Sequence, residues 1–261
     1  MNILEKILEE KRKIVEKKKK EISIEKLNNR ISENFRKYSI YNRLKESFGI
    51  ICEIKRTSPS SGIINENIDF RKIAEIYEKS GVSGISVLTC EPYFAGSIND
   101  LKDVKEKVKI PVLMKDFVID EYQIYEGNFY GADFILLIVR ILDDERLKKF
   151  ISICKNLNLE ILVEVFDVYD LKRIFNIIED WENKILGINN RDLTTLKTDI
   201  NNTLNLIKYI PTDKIIVISE SGIKSRNDVE ILKNEGVKGV LVGEAILRSK
   251  NIEEKIKEFI N

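Results

Sequence analysis

The stretch Glu160–Val165 reads EILVEV, and Asp167–Ile178 directly after it reads DVYDLKRIFNII. The first run is short, rich in Ile, Leu and Val, and interrupted by charge only at Glu160 and Glu164, as expected of a strand buried on both faces. The second spaces its apolar residues at helical intervals among charges and begins at Asp167, a side chain able to cap the free amides of a first helical turn. Together they read as one strand followed by one helix.

Working outward, the same unit recurs. Further strand-like runs lie at Gly49–Ile54, Gly84–Leu88, Ile110–Met114, Asp133–Ile138, Lys184–Ile188, Lys214–Ile218 and Lys238–Val242, which makes eight in all. Amphipathic segments separate them, among them Asp69–Lys79, Asp120–Tyr130, Asp143–Asn156 and Ser225–Asn234. Near-continuous apolar strands alternating with helices require a parallel sheet covered on both faces. Eight such units with no ninth strand favour a closed (β/α)8 barrel, the TIM barrel of the α/β class, over an open doubly wound sheet. No GxGxxG follows the first strand and no low-complexity linker divides the chain, so residues 1–261 are expected to form a single domain. Within it, 49–261 would be the barrel and 1–48 an N-terminal helical extension. In that extension Ile3, Leu4, Ile7, Leu8, Ile14 and Val15 recur at helical spacing, and a second helical stretch runs from Ile40 to Phe48 after Ser39.

Composition narrows the function. Of 261 residues, 43% are hydrophobic and 33% charged, which excludes disordered and membrane classes. Lys and Arg number 44 against 43 Asp and Glu, and the one dense basic run, Lys17–Lys20, reads as the solvated face of a helix, so no nucleic-acid partner is expected. No stretch approaches a membrane span and the first residues lack the order of a signal peptide, which points to the cytoplasm. Three widely spaced cysteines, Cys52, Cys90 and Cys154, suit reduced thiols. There is no histidine, so no transition metal is expected, and any general acid or base must be a carboxylate, a lysine, a tyrosine or a cysteine.

Charges and amides cluster at the ends of the runs. In a parallel barrel those C-terminal ends open on one face, where residues scattered in sequence converge. The first run carries Glu53 and Lys55 on one side, with Cys52 and Ile54 turned towards the helices. The third ends at Lys115-Asp116-Phe117, and the fifth holds Glu164. The sixth ends in Asn189-Asn190-Arg191-Asp192, the seventh in Ser219-Glu220-Ser221-Gly222, and the eighth in Gly243-Glu244. Any one Lys/Glu pair could be a salt bridge closing the barrel. The full set would incur desolvation with little gain unless a polar ligand sat among it, so a site is the better reading. Ser221-Gly222 and Gly243 also precede helical patterns and lie after the seventh and eighth strands, where barrels often hold phosphate.

The residues also carry a family pattern. Glu53-Ile54-Lys55-Arg56-Thr57-Ser58-Pro59-Ser60-Ser61-Gly62 resembles the first-strand motif of indole-3-glycerol phosphate synthase, written EIKxxSPSxG. Matches continue in order through Tyr93-Phe94-Ala95-Gly96-Ser97, Leu113-Met114-Lys115-Asp116-Phe117, Leu162-Val163-Glu164-Val165, Gly187-Ile188-Asn189-Asn190-Arg191-Asp192-Leu193, Ser219-Glu220-Ser221-Gly222-Ile223 and Leu241-Val242-Gly243-Glu244. The resemblance spans essentially the whole chain. It implies a barrel whose N-terminal segment helps cover the substrate, and ring closure of 1-(2-carboxyphenylamino)-1-deoxyribulose 5-phosphate to indole-3-glycerol phosphate, carbon dioxide and water, with no metal or organic cofactor.

In family terms Lys115 would be a general acid protonating the ketone or the departing hydroxyl, with the division of acid duty between it and Lys55 left open, and Glu164 would serve a later proton transfer. Lys55 would pair with the substrate carboxylate, and Glu53 would stabilise developing positive charge and help position Lys115. Asn189, Arg191, Glu220 and Ser221 resemble the residues around the hydroxyls and anilino ring, while Ser58, Gly222 and Gly243, with Glu244 beside it, resemble those at the phosphate. Phe94, Phe117 and Leu136 would be apolar walls. The implied partner is a small phosphorylated molecule, handled by a monomer for which membership of a pathway complex is left open. Two departures stand out: Cys90 where the family commonly has an acidic residue, and Phe166 where histidine is frequent. The rival readings are an Amadori isomerase of phosphoribosyl anthranilate, which would need a cysteine and aspartate pair at the strand ends, and a non-catalytic barrel, which would be expected to have lost a charged mouth residue.

Overall fold

The computed structural model describes residues 2–29, 37–60, 62–66 and 68–260; Ser61 of the first-strand motif and residues 30–36 of the N-terminal extension lie outside them. Eight parallel strands, Gly49–Ile54, Gly84–Leu88, Val112–Lys115, Phe134–Ile138, Glu160–Val165, Lys184–Asn189, Val217–Glu220 and Gly239–Val242, close on one another in chain order. The eighth completes the barrel by pairing with the first, Gly239 opposite Gly49 and Val242 opposite Cys52. The helices between them start where expected: Asp69, Asp120, Asp143, Asp167 and Ser225 each accept a backbone N–H of the first turn that they cap.

Two strands are displaced from their expected positions. The third begins at Val112 rather than Ile110, because Pro111 has no N–H to donate and offers only its carbonyl, which accepts from Ile85 at 2.9 Å. The seventh begins at Val217 rather than Lys214, since the carbonyl of Pro211 draws the amides of Lys214 (2.9 Å) and Ile215 (3.0 Å) into a turn. Both strands therefore run further than expected, and Lys115 and Glu220 are their last residues. A two-residue antiparallel pair, Thr57–Ser58 with Gly62–Ile63, was not anticipated in the loop after the first strand.

Alternation along each strand divides the apolar residues into two layers. Cys52, Ile54, Val163 and Val165 pack outward against the helices, while Ile51, Leu113, Phe134, Leu162, Ile185 and Ile218 fill the barrel interior. The N-terminal segment contacts that interior at both ends. Helix Ile3–Glu21 sends Leu4 and Ile7 to it, and helix Ile40–Glu46 sends Ile40 and Leu44, both fully buried.

The residues that lead into and begin the second of these helices, from Tyr38 to Tyr41, are fastened to the strand starts. Glu160 accepts from the backbone amides of Ile40 (2.8 Å) and Tyr41 (2.9 Å) and from the Ser39 hydroxyl. Asp133 accepts from the amides of Tyr38 (2.9 Å) and Val112 (2.8 Å) and is held by Lys105 at 2.6 Å, with both side chains of the pair all but inaccessible. Removing one member of such a pair leaves the other charged and unpaired in the interior. We expect Asp133→Ala to lower the unfolding free energy by about 3–5 kcal/mol in urea denaturation; a loss below about 1 kcal/mol would mean that the pair contributes no more than an exposed one.

Candidate active site

The C-terminal ends of the strands open into a cavity of about 700 Å3. Each side chain in its wall has a simple origin. Glu53 follows Ile51 on the inward side of the first strand, and Lys55 follows Glu53; the Lys55 ammonium lies 2.5 Å from Glu53 Oε1. Lys115 closes the third strand with its Nζ 2.9 Å from Glu220 Oε2 and 3.4 Å from Glu164 Oε2. Two lysines and three glutamates thus form one charged group at the barrel mouth.

Burial disfavours charge on Lys115, but the carboxylates of Glu220, Glu164 and Glu53 outweigh it and raise its pKa, so Lys115 remains an ammonium. For Glu53, burial is likewise overcome by Lys55 and Lys115, and the carboxyl is held below the usual range. Glu220 goes the other way. Burial, opposed by Lys115 but reinforced by the charge on Glu164, pushes it up to about 7.

Of the fifteen residues anticipated from sequence, all but Glu220 line this cavity. Glu220 sits behind Lys115, 1% exposed, and reaches the cavity only through that ammonium. Phe94 and Phe117 face each other at 6.2 Å between ring centres and, with Leu136, form an apolar side. Ser58, Gly222 and Gly243 lie together on the wall with Glu244 beside them. Ser221 and Gly222 are both left-handed (φ 65° and 82°), which turns the chain sharply at the end of the seventh strand. Asn189 accepts from the Arg191 amide at 2.9 Å, and the Arg191 guanidinium donates to the Leu196 carbonyl at 3.2 Å.

Sequence reading missed three groups. Ile3, Leu4 and Ile7 of the first helix line the cavity; the family resemblance implied that the N-terminal segment helps cover the substrate, but it singled out none of these residues. Lys224, Arg248 and Lys255 bring positive charge to the same cavity, and nothing in their local sequence marked them. Asn190, quoted in the motif but given no role, ties two mouth loops together. Its amide nitrogen donates to Ser219 Oγ (2.9 Å) and the Ser221 carbonyl (3.0 Å), and its oxygen accepts from Thr203 N (3.0 Å) and Oγ1 (2.8 Å).

The two departures from the family pattern are accounted for by packing. Cys90 is fully buried, does not line the cavity, and burial pushes its thiol up, which makes it a packed cysteine and not a reactive one. Phe166 lies under the Arg140 guanidinium at 4.4 Å.

Comparison with known proteins gives the family. The family model described as indole-3-glycerol phosphate synthase matches residues 4–259. The chain belongs to that family. It is 45% identical to the indole-3-glycerol phosphate synthase of Thermoanaerobacter pseudethanolicus over 99% of this chain and 97% of that one. With the synthase of Caldanaerobacter subterraneus subsp. tengcongensis it shares 51% over 83% and 81% respectively. A solved structure of 3-hexulose-6-phosphate synthase from Salmonella typhimurium superposes with a TM-score of 0.64 over 81% of this chain and 96% of that one, at 16% identity, which is a likeness of fold alone.

The first helix is fastened over this family's site by lysines. Lys11, 1% exposed, lies 2.7 Å from Glu91 and 2.9 Å from Asp116, the residue after Lys115. Lys18 reaches Glu91 (2.9 Å) and Glu126 (3.2 Å), and Lys19 reaches Asp120 (3.0 Å). Lys11→Met leaves Asp116 without its cation and loosens the helix that carries Leu4 and Ile7. KM is expected to rise several-fold with kcat changed much less, and limited proteolysis should cut the first helix sooner; an unchanged KM would show that Lys11 does not hold this helix over the cavity.

Proposed function

We propose that this chain closes the indole ring of 1-(2-carboxyphenylamino)-1-deoxyribulose 5-phosphate, releasing carbon dioxide and water and yielding indole-3-glycerol phosphate, as a carboxy-lyase of tryptophan biosynthesis. The observation that carries the reading is the Lys115 ammonium on the cavity wall between Glu164 and Glu220. Lys115 donates its proton to the substrate ketone as the ring carbon bearing the carboxylate attacks it, so that the new carbon–carbon bond forms without a free alkoxide. Loss of the carboxylate as carbon dioxide returns its electron pair to the ring system. The former ketone oxygen then departs as water with a second proton, given by Lys55 once the carboxylate it paired with has left, and Glu164 takes up the proton whose loss completes the indole.

The other residues bind and orient. Lys55 pairs with the substrate carboxylate, and Glu53, held anionic beside it, stabilises positive charge developing on the anilino nitrogen. Asn189, Arg191 and Ser221 bind the hydroxyls, and Phe94, Phe117 and Leu136 clasp the aromatic ring. The phosphate lies at Ser58, Gly222 and Gly243, close to the positive charge of Lys224, Arg248 and Lys255. In this reading the chain works as one domain and as a monomer. We place it in the cytoplasm, a reading supported by three buried, unpaired cysteines. Among the described residues no helix is long and apolar enough to cross a membrane.

The direct test adds purified protein to the carboxyphenylamino substrate with a metal chelator present, follows indole fluorescence, and confirms the product by mass spectrometry. Substrate binding without product would favour a non-catalytic barrel. Lys115→Ala and Glu164→Gln should each lower kcat by about 100- to 10,000-fold, the range for a positioned acid or base; near-native turnover in either would remove that residue from its assigned role.

A further inference from the structure

Glu220 occupies an unusual position for a charged group. One carboxylate oxygen is 2.9 Å from Lys115 Nζ, and the other is buried with no hydrogen-bond partner among the described residues. An inward-facing carboxyl at that depth needs room that a packed barrel interior does not ordinarily leave. The room comes from the neighbouring strand. Gly187 stands opposite Ile218 in the sixth strand, two residues before Asn189, and faces inward with Ile185 and Asn189. A β-carbon built on Gly187 would collide with Glu220 Oε1, lie 3.3 Å from Glu220 Cδ, and come within 3.0 Å of Leu162 Cδ1. The Glu220 carboxyl rests on the bare backbone of Gly187.

We infer that Gly187 is a positioning residue for the reaction: its missing side chain is the slot that holds the Glu220 carboxyl against Lys115. Any larger residue there drives the carboxyl out of the slot and breaks the contact that aims the ammonium into the cavity. Both obstructing atoms are tips of flexible side chains, so the barrel can absorb a methyl group while the site cannot. The buried slot also bears on the titration of Glu220, because burial is the largest influence raising that carboxyl to about 7. The kinetic part of this inference rests on the reading of Lys115 as the acid; the titration part does not.

The test uses full-length Gly187→Ala. We expect a folded protein whose kcat falls about 100-fold with KM within about threefold of the parent, since a displacement near 1 Å at a reacting group has that effect. The Glu220 carboxyl, followed by carbon-13 NMR, should titrate away from its parent value, because both its burial and its contact with Lys115 change. Glu220→Asp shortens the side chain by one methylene and clears the space, so Gly187→Ala/Glu220→Asp should be no slower than Glu220→Asp alone. Parent-like turnover and an unmoved carboxyl in Gly187→Ala would overturn the inference, as would a double variant in which the two losses multiply. Should Gly187→Ala fail to fold, recovery of folding in the double variant supports the slot; failure to recover assigns the collision to Leu162 and overturns it. If the parent chain forms no product, the proposed reaction fails, while the Glu220 titration in the two proteins still decides the slot.

Discussion

An ammonium group withdrawn from water must be met by negative charge, and the mouth of this barrel is organised around that requirement. Lys115 is held by Glu220 and Glu164, with Glu53 close enough to add to their field. Three carboxylates crowded together would tend to take up protons; the lysines among them oppose this and hold Glu53 low, while burial lifts Glu220 towards neutrality. Remove the lysines and the carboxylates repel; remove the carboxylates and the Lys115 ammonium loses what offsets its burial. Such mutual dependence makes the group expensive as a mere structural bridge and well suited to moving protons.

Parallel barrel geometry supplies the meeting point. Glu53, Lys115, Glu164, Asn189 and Glu220 come from the first, third, fifth, sixth and seventh strands, and each faces inward because its strand alternates in phase with the closed sheet. The loops are then fixed by polar contacts that the strands do not provide. Asn190 joins the loops after the sixth and seventh strands, and Asn202 donates to the carbonyls of Phe166 (2.8 Å) and Asn189 (2.9 Å), joining the fifth to the sixth.

Much of this was legible in the sequence. The eight apolar runs specified the barrel, and a two-residue period was enough to send Glu53 inward and Cys52 outward. What escaped has physical reasons. Strand starts at Val112 and Val217 depend on where Pro111 and Pro211 leave carbonyls without a matching N–H, which an apolar run does not reveal. Glu220 was grouped with residues that meet the substrate, but its depth behind Lys115 is set by the absence of a side chain on another strand. Lys224, Arg248 and Lys255 reach the cavity from helical or loop positions with no periodic signature. The roof residues Ile3, Leu4 and Ile7 were visible as a helix face, though nothing local said what that face would cover.

The fastening of the first helix has a further consequence for how the molecule comes to be. Lys11, Lys18 and Lys19 emerge near the start of synthesis, but their partners Glu91, Asp116, Asp120 and Glu126 follow some 73 to 108 residues later, and Ser39 must wait for Glu160, 121 positions on. The earliest part of the chain therefore cannot be fastened until the middle of the chain exists and has collapsed, whereas the closing pair of strands, with Gly49 opposite Gly239, must wait longer still. Until then its apolar face has no surface of its own to rest on. The helix that roofs the cavity thus has its anchors in the chain before the last strand, which completes the barrel, has been made.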